Sequence, residues 1–217
     1  MSTVLDIVLP CLDEEQALPW VLERIPFGAQ AIVVNNGSRD ASAKIAVDHG
    51  ALVVDCEQRG YGAACHAGLL AAESEFVAVC DCDASLDPAI AMAFVDVLRE
   101  GADLVVARRV PVSLAAWPLH ARVANLELAR RVRKRTGLPL RDVGPLRVAR
   151  RVPLLDLPIT DRRSGYPVET VLRAVQAGWS VMGRDVSYTP RSGKSKVTGT
   201  VRGTINAVRD MSAALNS

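Results

Sequence analysis

Two carboxylates, Asp81 and Asp83, flank one cysteine directly after the apolar run Glu75–Cys80. At the end of a buried strand such a pair can reach a hard divalent cation and the phosphates it bridges, because Mg²⁺ and Mn²⁺ take one or two carboxylates plus phosphate oxygens. Asp83 is the primary metal ligand expected and Asp81 its companion. Cys82 is a packed neighbour rather than a ligand, since both cations prefer oxygen to thiolate. Asp-x-Asp alone is a weak signal, for turns after strands often carry aspartate. Its surroundings strengthen it: residues 1–107 hold 5 Lys and Arg against 17 Asp and Glu, whereas residues 108–217 hold 21 against 7. One half gathers cations and the other gathers anions. In the basic half, Arg191, Lys194 and Lys196 are separated by glycine and serine, a mobile loop whose fixed cations would offset phosphate charge.

The elements that must position these groups follow from the pattern. Val4–Pro10, Ala31–Val34, Ala51–Val54, Glu75–Cys80 and Asp103–Ala107 read as short buried strands. Helical patterns alternate with them, the last of these from Pro88 to Glu100. This alternation specifies βαβ units, hence a mostly parallel central sheet with helices on both faces. After Arg109 the rhythm changes to a helix over Leu119–Thr136, an irregular stretch Gly137–Pro158, a helix over Pro167–Ala177, a strand over Trp179–Val186 and a last helix over Val201–Ala214. In an open parallel sheet ligands bind beyond the carboxyl ends of the strands, which is where Asp81 and Asp83 fall.

With 217 residues, 49% of them hydrophobic and 23% charged, the chain suits one α/β domain over 1–217, with a core of its own. Strand one is followed by no glycine-rich dinucleotide or phosphate loop. Only 4% of residues are aromatic, too few to stack bases, so no nucleic-acid partner is expected. Five cysteines without a C-x-x-C pair argue for free thiols in a reducing compartment. No apolar run is long enough to span a membrane, and the N-terminus lacks the features of a signal peptide. A cytoplasmic location is expected, and a homo-oligomer is left open.

Four ordered motifs carry a resemblance: Pro10 with Leu12 and Glu14; Asn35-Asn36-Gly37-Ser38 with Asp40; Gly60-Tyr61-Gly62 continuing to Gly68; and Asp81-Cys82-Asp83 with Pro88. Together they resemble the nucleotide-sugar half of inverting family 2 glycosyltransferases with the GT-A fold. Asp142-Val143-Gly144-Pro145-Leu146-Arg147, Gly165 to Glu169, and Tyr188 to Lys196 extend the likeness to polyprenyl-phosphate sugar synthases, such as dolichyl-phosphate mannose synthase. The resemblance implies a nucleotide-sugar and metal half over 1–107 and an acceptor half over 108–217. It implies that Pro10, Leu12, Glu14, Asn36 and Ser38 line the nucleoside pocket, with Asp81, Cys82 and Asp83 at the diphosphate and a Mg²⁺ or Mn²⁺ cofactor. Arg109, Arg122, Arg147 and Lys196 match positions that meet acceptor or sugar phosphates, while Asp142, Arg191 and Lys194 serve the reaction itself. Asn35 stands where the family often has aspartate, so the donor is left open between uridine and guanosine diphosphate sugars.

The implied reaction is displacement at the anomeric carbon by a polyprenyl phosphate oxygen, with inversion, at an anionic membrane surface on the cytoplasmic side. With an ionised phosphate as nucleophile Asp142 orients acceptor or sugar; with a hydroxyl acceptor it is the base. A soluble hydroxyl acceptor and a sugar-nucleotide-binding module without turnover remain as alternatives.

Overall fold

Strand β1 (Leu5–Cys11) is buried along nearly its whole length, and the sheet is built outward from it. The computed structural model describes residues 3–193, 209–211 and 213–215. Lys194, Lys196 and most of the expected last helix lie outside the described residues. The first half alternates as read: α1 (Leu18–Leu22), β2 (Ala29–Asn35), α2 (Ser42–Asp48), β3 (Leu52–Asp55), α3 (Tyr61–Ala71), β4 (Phe76–Cys80), α4 (Ala91–Arg99) and β5 (Leu104–Pro111). The second half adds α5 (Leu119–Thr136), β6 (Leu146–Arg150), α6 (Arg151–Asp156), α7 (Tyr166–Gln176) and β7 (Val181–Tyr188). The seven strands form one sheet in the order β3-β2-β1-β4-β6-β5-β7, so strands of the acidic and basic halves lie side by side.

Alternate strand residues serve opposite faces. Leu5, Ile7 and Leu9 pack with Leu18 and Val21 of α1, Ala46 of α2 and Phe94, Val95 and Leu98 of α4. Val8, Ile32 and Val34 pack on the other face with α3, α5, α6 and α7 through Leu69, Val132, Leu154 and Val171. The one acid inside β1, Asp6, is used structurally: its carboxylate accepts the N–H groups of Glu73 at 2.7 Å and Ser74 at 2.8 Å, tying the turn that leads into β4.

The stretch Gly137–Pro158, expected to be irregular, contains β6 and α6. The expectation failed because β6 has arginine at Arg147 and Arg150 and enters without a crossover helix. It lies antiparallel between β4 and β5, whereas β1, β2, β3 and β4 run parallel and β5 pairs parallel with β7. The reversal matters for function. It places the loop that precedes β6, residues 142–145, at the same sheet edge as the carboxyl ends of β1, β2, β4, β5 and β7. Among the described residues no helix is long and apolar enough to cross a membrane.

Candidate active site

At that edge the loops after β1 and β2 are locked together. Asp13, in the left-handed region at φ 52°, donates its N–H to Ser38 Oγ at 3.0 Å and accepts from Arg39 N–H at 2.7 Å. Glu14 N–H donates to Ser42 Oγ at 2.9 Å and Glu15 N–H to the Asp40 carboxylate at 3.0 Å. Asn35 donates to Asp55 at 2.8 Å and accepts from Ser38 N–H at 2.9 Å. Asn36 donates to the carbonyls of Cys56 and Gln58 and accepts from Gly60 N–H at 2.9 Å. The side chains of Asn36 and Ser38 therefore brace these loops, while Pro10 and Leu12 are partly exposed beside them. Preorganised loops lose little freedom when a ligand arrives.

Beyond β4, Asp83 is buried, and one carboxylate oxygen accepts from the N–H and hydroxyl of Ser85. Its other oxygen lies 3.3 Å from Arg191 Nη2, which also stands 3.4 Å from Glu14. Arg191 is delivered there by the backbone after β7, where Thr189 N–H donates to Ser85 O and Ser192 N–H to Asp83 O, both at 2.9 Å. Ala84 adopts φ 60°, a costly conformation for a residue with a Cβ and one that gathers at functional sites. Cys82 is buried and its thiol contacts Pro10 O at 2.9 Å, a packing role. Asp81 accepts from the Tyr61 hydroxyl at 3.0 Å. Burial, and then the charge of Asp83, push the Asp81 carboxyl up to about 6. Two carboxylates that repel one another and offer only hard oxygens suit a divalent cation. Among the described residues no group of three or more metal-binding side chains occurs, so phosphate oxygens would complete the coordination.

The raised Asp81 value has a measurable cost. An aspartate that titrates near 6 when folded, against an ordinary 3.8, leaves the fold without penalty below about pH 4 and burdens it increasingly up to pH 6. Asp81→Asn should therefore stabilise the metal-free protein by about 2–3 kcal/mol at pH 7, with the gain fading toward pH 4. Urea unfolding in excess chelator at several pH values measures this, and an equal or lower stability of the variant at pH 7 would refute it.

On the basic side, Asp142 is 2% exposed and fully engaged. One of its oxygens accepts from Arg109 N–H at 2.9 Å and Nε at 2.8 Å; the other accepts from Arg109 Nη2 at 2.7 Å and Gly144 N–H at 3.0 Å. Burial alone would raise its carboxyl, but the Arg109 guanidinium outweighs that and holds it below the ordinary value. Arg109 also donates to Asn125 of α5 at 3.2 Å and stacks 4.1 Å from Trp117 and 5.6 Å from Tyr188. Arg122, on the first turn of α5, is partly exposed.

Arg147, expected at a phosphate, is 4% exposed, and its guanidinium donates to the carbonyls of Gly144 and Val143 and to the Tyr61 hydroxyl that holds Asp81. Glu169 anchors a loop, accepting from the N–H groups of Thr160 and Asp161 and pairing with Arg173. Trp117, Asn125 and Tyr61 received no role from sequence; Tyr61 sits inside a quoted glycine motif, the one signal that could have drawn attention to it.

A mostly parallel α/β sheet thus carries a carboxylate pair at the end of β4 and an arginine–aspartate pair at the same edge. The family model described as Glycosyl transferase family 2 matches residues 6–156, and the chain belongs to that family; it is a glycosyltransferase. It is 52% identical over 205 residues to an uncharacterized glycosyltransferase of Mycobacterium tuberculosis, covering 94% of each chain. It is 30% identical over 197 residues to the dolichyl-phosphate hexose transferase of Haloferax volcanii, covering 89% of this chain and 86% of that one. Among solved structures, glucosyl-3-phosphoglycerate synthase of Mycobacterium tuberculosis in complex with Mn²⁺, uridine diphosphate and glucosyl-3-phosphoglycerate superposes with a TM-score of 0.79 at 22% identity, covering 98% of this chain and 78% of that one. The expected family and GT-A fold are thereby borne out.

Proposed function

We propose that this glycosyltransferase moves a hexose from a nucleoside diphosphate sugar to a polyprenyl phosphate, with inversion. The observation that carries the acceptor assignment is the pairing of Asp142 with Arg109. A carboxylate neutralised by a bidentate guanidinium is a poor proton acceptor, and Glu169 is tied to its loop. An acceptor that brings its own negative oxygen needs no base: a phosphate monoester is largely ionised near neutral pH. Supporting this, the dolichyl-phosphate hexose transferase is a relative whose name specifies a lipid phosphate.

Asp83 and Asp81 would hold Mg²⁺ or Mn²⁺, and the bound cation would offset charge on the departing nucleoside diphosphate. That the similar synthase was crystallised with Mn²⁺ and uridine diphosphate supports this donor reading. The chain's own groups do the rest. Glu14 and the bracing Ser38 and Asn36 shape the nucleoside pocket beside Pro10 and Leu12. Arg191 stands where it can pass from the two carboxylates to a phosphate, and Arg109, held by Asp142 and stacked on Trp117, offers a fixed cation to the acceptor.

A hydroxyl acceptor is the second reading, favoured by the phosphoglyceric acid bound in complexes of the similar synthase. Incubating the protein with uridine and guanosine diphosphate sugars, each with polyprenyl phosphate or 3-phosphoglycerate, with and without Mn²⁺, separates the two. A polyprenyl phosphosugar of inverted anomeric configuration is expected. Transfer to phosphoglycerate alone would overturn the lipid acceptor.

A further inference from the structure

We propose that Tyr61, backed by Arg147, is the positioning residue for Asp81, setting which carboxylate oxygen faces the donor's cation. The inference rests on the reading that Asp81 and Asp83 hold that cation.

The geometry admits one direction of hydrogen bonding. A guanidinium can only donate and an ionised carboxylate can only accept, while a phenol has a single proton. Arg147 Nη2 must therefore donate to the Tyr61 oxygen at 2.9 Å, and Tyr61 must give its proton to Asp81 Oδ1 at 3.0 Å. A hydroxyl that receives from a cation is a stronger donor than a free one, since hydrogen bonds in series polarise each other. Asp81 is held at a second point as well, because its N–H donates to Pro145 O at 3.0 Å. With backbone and one oxygen fixed, the other oxygen, which makes no hydrogen bond among the described residues, can turn toward a ligand.

Both supports of this relay are rigid. Tyr61 is the first residue of α3, between two glycines that admit no side chain. A Cβ on Gly60 would lie 2.2 Å from Arg162 O, and one on Gly62 would lie 2.9 Å from Asp161 O. The close approach clamps the start of α3 against residues 161–163, and Gly62 and Ala63 donate their N–H groups to the carbonyls of Arg163 and Arg162. Arg147 sits in β6 opposite Val79 of β4, two residues before Asp81, and its other nitrogen donates to Gly144 O at 2.9 Å. The antiparallel strand therefore places a buried cation against the Tyr61 hydroxyl that holds Asp81. Packing alone would not require a phenol there, because phenylalanine would fill the same space.

Tyr61→Phe tests the proposal, with Arg147→Met and the double variant alongside. In metal-free protein, amide hydrogen exchange of residues 81–86 should quicken about tenfold in Tyr61→Phe while β1 and β2 stay protected, the loss of one hydrogen bond to a charged group being of that size. Electron paramagnetic resonance titration with uridine diphosphate present should show Mn²⁺ bound about tenfold more weakly. If Arg147 acts through Tyr61, the double variant should bind Mn²⁺ no worse than the weaker single one. Unchanged exchange at residues 81–86, or exchange that rises evenly over the whole sheet, would reduce Tyr61 to a structural residue and overturn the proposal, as would wild-type Mn²⁺ affinity in Tyr61→Phe. Failure of the unaltered protein to take up Mn²⁺ with uridine diphosphate would fall on the donor reading, while the exchange measurement would still decide the positioning role.

Discussion

Replacing Asp83 with alanine should lower kcat/KM by about 10³-fold while leaving the fold in place. Offsetting charge on a departing diphosphate contributes several kcal/mol, and each 1.36 kcal/mol is a factor of ten in rate. Asp83 is buried, yet among the described residues its side chain bonds to Ser85 and Arg191 at the sheet edge, and neither bond involves the core strands. The loop after β7 stays attached through Ser192 N–H to the Asp83 carbonyl, which the substitution keeps. Asp83→Asn separates shape from charge, since it can still accept from Ser85 but carries no charge toward a cation. Both variants should show a loss of that size, with melting temperatures close to that of the unaltered protein. Turnover of the accepted donor, measured with Mn²⁺ and in excess chelator alongside circular dichroism, decides the matter. Full activity in chelator, or in a folded Asp83→Ala protein, would remove the metal role.

How much of this was legible in the sequence depends on how far apart the partners lie along the chain. The carboxylate pair was readable because a buried strand ends immediately before it and a helix opens soon after. The pairing of Arg147 with Tyr61 was not, for 86 positions separate them and only the antiparallel entry of β6 brings them together. An arginine in a basic half reads as a phosphate contact until the fold shows it buried and bonded to its own chain. Asp142 teaches the same lesson with opposite charge: its neutralising partner lies 33 positions earlier, at the end of β5. The charge asymmetry of the halves was real but does not mark two bodies. In the order β4-β6-β5 the acidic and basic segments are neighbours, which is how the Asp81–Asp83 pair and Arg109 come to share one edge.

If the acceptor is a membrane lipid, the protein should bind anionic vesicles at low salt, and Leu119→Gln combined with Leu126→Gln should weaken that binding about 10²-fold without lowering stability. Helix α5 turns Asn125, Ala129 and Val132 inward, so the stripe of Leu119, Val123 and Leu126 does not pack on the sheet. Those three side chains are exposed, Leu119 by 73%, and so are Val110, Val112 and Leu114 shortly before the helix, Leu114 by 88%. Clustered exposed apolar residues mark interaction surfaces. Arg130, Arg131, Arg133, Lys134 and Arg135 follow at the end of the helix. Their pull is smaller than their number suggests, because Arg130 and Arg131 both pair with Glu127 and Arg133 donates to Leu140 O. Each cation near anionic lipid contributes about 1 kcal/mol, whereas a fully buried leucine contributes roughly 1.5–3 kcal/mol. The apolar stripe should therefore dominate, and salt should weaken binding without abolishing it. Co-sedimentation with anionic and neutral vesicles at low and high salt reads both contributions. Absence of binding to anionic vesicles at low salt, together with efficient transfer to a water-soluble hydroxyl acceptor and none to polyprenyl phosphate, would replace the lipid acceptor with the soluble one.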